Sequence, residues 1–185
     1  RLAGLAPEGV SGQCRSWLLH RAFPRRRELH TLEEYWGLGA DFLGSDFGPA
    51  PASATWVPSA SAAKRATDLI QAHGLAAGFI VVCPFSGGDL TKRWPGFPAL
   101  AKQLSERLPV VICPGPGGEE EEARAGYPGC RILPGVDLGA YGALLARSRL
   151  VVANDTGPGH LAAAAGARLI SIFGPTPVGR WAPRG

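Results

Sequence analysis

The sequence predicts an α/β fold, a parallel sheet with helices on both faces, and three observations predict it. Short apolar runs alternate with segments of helical periodicity from about residue 60 onward, and each run is continuously apolar, as a strand buried on both faces requires. The composition is 45% hydrophobic with 26 Gly and 17 Pro, enough turn formers for many short connections. Polar and Gly-rich motifs follow directly after the apolar runs, where an open parallel sheet holds its ligands.

Residues 1–60 are weakly patterned. A helix is expected over 31–38, because Leu32, Tyr35, Trp36 and Leu38 can share one face. Gly37, Gly39 and Gly44 are expected to break it, and 49–58 reads as an extended linker. An amphipathic helix follows over 59–73: Ser59 or Ser61 can cap it, Ala62, Ala66, Leu69 and Ile70 keep helical spacing, and Gly74 ends it. The alternation then runs strand 79–83, helix 98–108 with Leu100, Ala101 and Leu104 inward, strand 110–113, and a short acidic helix over 119–125. Strand 131–133, helix 138–147, strand 150–153, helix 161–165 and strand 168–173 complete it. The chain has no internal repeats.

At 185 residues there is room for one good core, or for one domain and part of another. No apolar run approaches the roughly 18 residues that span a bilayer and no signal segment opens the chain, so the expected location is the cytosol. The net charge of +4 is evenly spread, with 8 basic and 7 acidic side chains in residues 1–73 and 11 and 8 in the remainder. A nucleic-acid binder concentrates its basic groups, so that class is disfavoured. Cys14, Cys83, Cys113 and Cys130 lack CxxC spacing and read as buried free thiols rather than a metal site or a disulfide. The absence of Met reads as a fragment of a longer protein. Arg21, Arg25, Arg26 and Arg27 form a solvated cluster or a contact for an acidic or phosphorylated partner.

The chemistry lies in the loops. After the first strand of the alternation come Pro84-Phe85-Ser86-Gly87-Gly88 and then Lys92; small residues such as Ser86 and Gly87 let backbone N–H groups approach a phosphate, and Lys92 supplies a mobile positive charge. The loop is no Walker motif, and taken alone it reads more simply as a surface turn with a solvated Lys. Glu119 to Glu122 suit the positive end of a helix, and Glu119, nearest the turn, is best placed for the hydroxyls of a ribose. In Asn154-Asp155-Thr156-Gly157-Pro158-Gly159-His160, Pro158 suits the first helical position and the N–H groups of that helix start favour an anion, most naturally a phosphate. Asp155 reads either as a base or, more simply, as the N-cap of its own helix. His160, in the first turn, is expected to be a neutral imidazole and has no metal-ligand partner at helical spacing. His20, His30 and His73 have no constellation, and Gly174-Pro175-Thr176-Pro177 could frame a base or sugar.

Together, Lys92-Arg93-Trp94-Pro95, Gly115 with Glu119, the run Asp155-Thr156-Gly157-Pro158-Gly159-His160-Leu161-Ala162-Ala163, and Phe173-Gly174-Pro175-Thr176 resemble glycosyltransferase family 9, the ADP-heptose:lipopolysaccharide heptosyltransferases. The resemblance spans about 79–185, and His30-Thr31-Leu32-Glu33-Glu34-Tyr35 is more faintly similar to the segment before the family's interdomain linker. It implies a GT-B architecture of two Rossmann-like domains facing a cleft. On that resemblance residues 1–60 are a remnant of the N-terminal acceptor domain and the linker. Residues 61–185 are the Rossmann-like nucleotide-sugar-binding domain, truncated at its C-terminal end. Ser86, Gly87, Lys92, Glu119, Thr156, Gly157, Pro158 and His160 would hold the donor, with Lys92 on the phosphates, Glu119 on the ribose and Thr156 with the Gly157 backbone on the pyrophosphate. Lys92, Asp155 and His160 would form the catalytic side, Asp155 and His160 ordering the sugar.

The implied reaction is inverting, metal-independent transfer of a heptose from ADP-heptose to the inner core of lipopolysaccharide. The partners are the nucleotide-sugar donor and a lipid-linked saccharide acceptor, with peripheral contact at the cytoplasmic face of the inner membrane, no nucleic acid, and no cofactor beyond the ADP-sugar. Such a transfer needs a general base for the acceptor hydroxyl and charge neutralisation for the leaving diphosphate; Lys92 and helix N–H groups would supply the second. The family's base lies in an N-terminal loop that residues 1–60 do not match, and its final returning helix has no counterpart after Gly185. The expectation is therefore a donor-binding half that does not transfer by itself. Rival readings are another GT-B nucleotide-sugar enzyme with a different donor, a sugar-nucleotide epimerase, a non-catalytic nucleotide-binding module, and a flavodoxin-like domain using Ser86-Gly87-Gly88.

Overall fold

The computed structural model describes residues 26–185 and the backbone of residues 3–5 and 21–23. Cys14, His20, and the side chains of Arg21 and Arg25 lie outside the described residues. The chain gathers into two compact units, residues 1–52 with 177–181, and residues 53–176 with 182–185.

In the first unit, β1 (Ala3–Leu5) and β2 (Arg21–Phe23) pair in parallel, Ala3 opposite Arg21, in a stretch expected to be weakly patterned. Helix α1 (Thr31–Leu43) opens on a capping box: His30 Nδ1 accepts from Leu32 N–H, and the Glu33 carboxylate accepts from His30 N–H. It does not break at Gly37 and Gly39. A Cβ at Gly37 would lie 2.9 Å from the Arg26 guanidinium, so the glycine gives that side chain room to reach Asp41 at 2.9 Å. The helix stops at Gly44, which takes the left-handed conformation at φ 63° and returns its N–H to Ala40. Tyr35 and Trp36, expected on the buried face, are exposed, and the buried residue of α1 is Glu34. Its carboxylate accepts from the Arg26 N–H at 2.8 Å and from Arg180 of the short helix α7 (Val178–Trp181). Arg180 also donates to the carbonyls of Arg27 and Leu29, so the buried charge is fully partnered.

The second unit begins with a segment that lacks helix or strand over 53–59, fastened by backbone bonds from Ala54 N–H to Arg184 and from Trp56 N–H to Ala164. Helix α2 (Ala60–Ala72) follows, capped by Ser59, and buries Ala62, Ala66 and Ile70. The strands β3 (Ile80–Cys83), β4 (Val110–Ile112), β5 (Arg131–Ile132), β6 (Leu150–Asn154) and β7 (Leu169–Ile172) form one parallel sheet in the order β5-β4-β3-β6-β7. Helices α3 (Phe97–Ser105), α4 (Glu119–Gly126), α5 (Leu138–Arg147) and α6 (Gly157–Ala164) connect them.

Period-two alternation divides the strands between two cores. Val81, Cys83, Val111, Val151 and Ala153 meet Ile70 of α2, Leu144 and Leu145 of α5 and Ala162 of α6. Ile80, Val82, Val110, Ile112 and Val152 meet Phe97 and Ala101 of α3 and Ala123 of α4. Helices therefore cover both faces, as the continuous apolar runs require. Helix α6 starts at Gly157, earlier than the expected Leu161, because Thr156 already adopts the extended N-cap conformation and Pro158 fits the first turn. Among the described residues no helix is long and apolar enough to cross a membrane.

Candidate functional site

The strand order places a switch point between β3 and β6: the chain winds outward from β3 through β4 and β5, then returns to build β6 and β7 on the other side. At such a point the loops leaving the two central strands diverge and open a crevice beyond their carboxyl ends. A concavity of about 390 Å3 lies there, lined by Cys83 to Gly87 after β3, Cys113 to Gly115 with Glu119 after β4, Val136, Leu138 and Tyr141 around the start of α5, and Thr156 to Pro158 after β6. Its size is that of a small-molecule site.

The lining combines apolar side chains with polar and backbone groups. Pro84, Phe85, Pro114, Val136, Leu138 and Tyr141 supply apolar surface suited to a flat ring, and Leu138 is 72% exposed. At the same concavity Thr156 makes no side-chain cap on α6, which leaves the positive end of that helix open there. The Tyr141 hydroxyl sits 3.1 Å from Cys83 Sγ. Burial pushes the Cys83 thiol up to about 12 and raises Tyr141 well above its ordinary value, so both are neutral near pH 7.

Of the sequence-predicted binding residues, Ser86, Gly87, Glu119, Thr156, Gly157 and Pro158 all line the concavity. Ser86 is buried and donates to the Asp89 carbonyl at 2.9 Å, which fixes the loop's curl. The Glu119 carboxylate accepts from Gly115 N–H at 2.7 Å, and a Cβ at Gly115 would stand 2.9 Å from it, so the glycine permits the approach. Lys92 and His160 stand beside the concavity, gathered on Asp155: Lys92 Nζ lies 3.0 Å from Oδ2 and His160 Nε2 lies 3.7 Å from Oδ1.

Asp155 is not the N-cap of α6; Thr156 occupies that position. The Asp155 side chain is 3% exposed and turns instead across the sheet edge, where Lys92 and the Thr176 hydroxyl, at 2.6 Å, meet it. A buried carboxylate needs such partners, and two come from different loops. The loop after β7 thus reaches Asp155 directly.

Two residues had no role in the sequence reading. Asn154 is fully buried, donates to the Pro84 carbonyl at 2.7 Å and accepts from Trp94 N–H at 3.2 Å, tying the end of β6 to the loop after β3. Arg93 lies over the Phe85 ring, donates to the Ser86 carbonyl, and forms a two-oxygen contact with Glu122 at 2.9 and 3.0 Å. An Asn closing an apolar strand and an Arg adjoining Lys92 were the signals available. Of the cysteines, Cys83, Cys113 and Cys130 are free as expected, but only Cys83 is buried and the other two are half-buried. Among the described residues no cluster of His, Cys, Asp and Glu could hold a metal ion.

Comparison with known proteins bears on this site. Lipopolysaccharide heptosyltransferase 1 of Pseudomonas aeruginosa is 41% identical over 93 residues, which are 47% of this chain and 26% of that protein. A solved glycosyl transferase family 9 protein from Veillonella parvula superposes with a TM-score of 0.72 at 19% identity, covering 89% of this chain and 50% of that one. The E. coli heptosyltransferase WaaC, solved with ADP, superposes with a TM-score of 0.63 at 26% identity, covering 92% and 52%. The chain thus spans about half the length of these solved relatives and a quarter of the curated one. The model of glycosyltransferase family 9 (heptosyltransferase) matches residues 3–185, and the chain belongs to that family.

Proposed function

We propose that this chain forms the donor-binding half of a heptosyltransferase that moves a heptose from ADP-heptose to the inner core of lipopolysaccharide with inversion, without a metal ion or a further cofactor. The observation that carries the reading is the concavity at the β3/β6 switch point, which combines apolar surface with the open N-terminus of α6. The ADP named with the E. coli relative gives the nucleotide its identity in this reading.

In the proposed complex the adenine stacks against the apolar surface of Pro84, Phe85 and Pro114. Glu119, already aimed by the Gly115 N–H, accepts from the ribose hydroxyls. The pyrophosphate lies on the start of α6 at Thr156 and Gly157, where the helix dipole favours negative charge. Lys92, held at 3.0 Å from Asp155, stands ready to neutralise charge growing on the leaving diphosphate. Asp155 is then a positioning residue for Lys92, and His160 faces the sugar. The lipid-linked acceptor and the general base belong to the rest of the enzyme, working at the cytoplasmic face of the inner membrane.

The test is to supply the protein carrying this chain with ADP-heptose and heptose-deficient lipopolysaccharide and to follow ADP release. Acceptor-dependent release that Lys92→Ala slows by about a hundredfold is the expected result. Release from a UDP-sugar in place of the ADP-sugar would move the chain to another donor.

A further inference from the structure

At the other end of the strands lies a larger hollow, of about 570 Å3, formed by α2 and by the loops that lead into β3, β6 and β7. Its floor is Ile70, Leu75 and Phe79, and its rim carries Arg147, Arg149 and Arg168. No Asp or Glu lines it. None of the three arginines forms an ion pair among the described residues, whereas Arg26, Arg65, Arg93, Arg124 and Arg180 each meet a carboxylate.

Gly78, whose φ of 117° itself favours glycine, leaves the wall open beside Arg149: a Cβ there would lie 3.0 Å from Arg149 Nε. Arg147 donates to the Thr67 hydroxyl at 2.7 Å, and that hydroxyl is itself anchored on the Ala63 carbonyl at 3.0 Å. Gln71 adds an uncharged donor at the mouth, while the Ser148 hydroxyl, like that of Thr67, donates to a backbone carbonyl of its own helix. A helix dipole accounts for Arg147, in the last turn of α5. It does not account for Arg149 and Arg168, which stand outside the helices just before β6 and β7. Arg107 before β4 and Arg131 at the start of β5 continue the basic edge.

Three guanidinium groups on one concavity repel one another until an anion joins them, and the planar fork of arginine matches phosphate oxygens two at a time. An apolar floor beneath a cationic rim fits a guest with both characters. We propose that this hollow is a second ligand site, separate from the nucleotide concavity, that takes a phosphate-bearing molecule with an apolar portion. That chemistry is supplied either by a soluble phosphate ester or by an anionic lipid headgroup.

The test uses the chain without added nucleotide; because the two sites share no lining residue, the arginine variant separates binding in the hollow from binding in the nucleotide concavity. Dihexanoyl phosphatidic acid and tripolyphosphate are titrated calorimetrically, and phosphatidylcholine vesicles with and without phosphatidylglycerol are used for co-sedimentation. Each is applied to wild type and to the triple variant R147Q/R149Q/R168Q. The expected result is binding by wild type that weakens at least about tenfold in the triple variant. Loss confined to phosphatidylglycerol vesicles assigns the guest to a lipid headgroup, and loss confined to the soluble probes assigns it to a free phosphate ester. Equal binding by both proteins, or no binding of any probe by a cooperatively folded wild type, overturns the proposal. Should the triple variant fail to fold, the exposed single substitutions Arg149→Gln and Arg168→Gln replace it, with the same reading.

Discussion

Asp155 is 3% exposed, and the other buried carboxylate among the described residues, Glu34, is held by an arginine and a backbone N–H. The partners of Asp155 are Lys92 at 3.0 Å and the Thr176 hydroxyl at 2.6 Å. Removing one side of a buried pair costs more than the pair contributes, because the remaining charge keeps its desolvation penalty. Lys92→Ala is therefore expected to lower stability to urea by about 1–3 kcal/mol. The double variant Lys92→Ala/Asp155→Asn should recover most of that loss, since no unpaired charge remains. A double variant no more stable than the single would show that Lys92 and Asp155 do not act as a pair. Every residue of this cluster stood out in the sequence, yet the simpler account of Asp155 there was capping. An Asp directly before Thr-Gly-Pro satisfies the capping rule, and only the fold brings Lys92 and Thr176 to it.

Helix α5 meets α2 and the segment before α2 through two contacts that are legible only in three dimensions. At its start, Asp137 caps the helix by accepting from Ala140 N–H at 3.0 Å and meets Arg65 of α2 at 2.7 and 2.9 Å. The hydrogen bonds from Arg65, followed by the one from Ala140, hold the Asp137 carboxyl down to about 2, below its ordinary 3.8. A depressed carboxylate contributes its stabilisation in full above the ordinary value and loses it as pH falls toward the folded value. NMR titration should place the Asp137 midpoint near 2 in wild type and nearer 3.8 in Arg65→Ala, with the α2–α5 contact weakening across that interval. An unmoved midpoint in Arg65→Ala would mean that the cap alone sets it.

Further along α5, a Cβ at Gly142 would meet the Trp56 ring at 2.7 Å. Alanine normally gains about 1 kcal/mol over glycine inside a helix, but a ring this close must move, at a cost of about 1–3 kcal/mol. Gly142→Ala should thus destabilise, whereas Gly126→Ala in α4, with nothing within 4 Å of the added carbon, should stabilise by about 0.5 kcal/mol. Denaturation midpoints of the two variants moving in the same direction would contradict this. Element positions were readable because apolar runs and helical spacing are local properties. The extent of α1 was not, since the Arg26 contact that carries it past Gly37 leaves no periodic trace, and neither does the pairing of Glu34 with Arg180, far apart in the chain.

At the scale of the whole molecule, the sheet of residues 80–172 has the Rossmann-like, half-GT-B form that the motifs implied, and its switch point collects six of the residues predicted to hold the donor. They were legible because loops at strand ends keep their chemistry within a few consecutive positions. The arginine-rimmed hollow was not, since its three cations come from separate loops and α2 completes it. The two ends of one sheet thus carry different chemistry: an open helix start and a carboxylate-held lysine at one, and at the other three arginines that form no ion pair among the described residues. In the proposed function the first of these holds an adenine nucleoside diphosphate. Calorimetric titration of the folded chain with ADP, UDP and GDP, repeated on Lys92→Ala and Glu119→Ala, tests this. ADP is expected to bind tightest and each substitution to weaken it by about 1–3 kcal/mol, as loss of a charged hydrogen bond does. Tighter binding of UDP or GDP, or ADP binding indifferent to both substitutions, would contradict it.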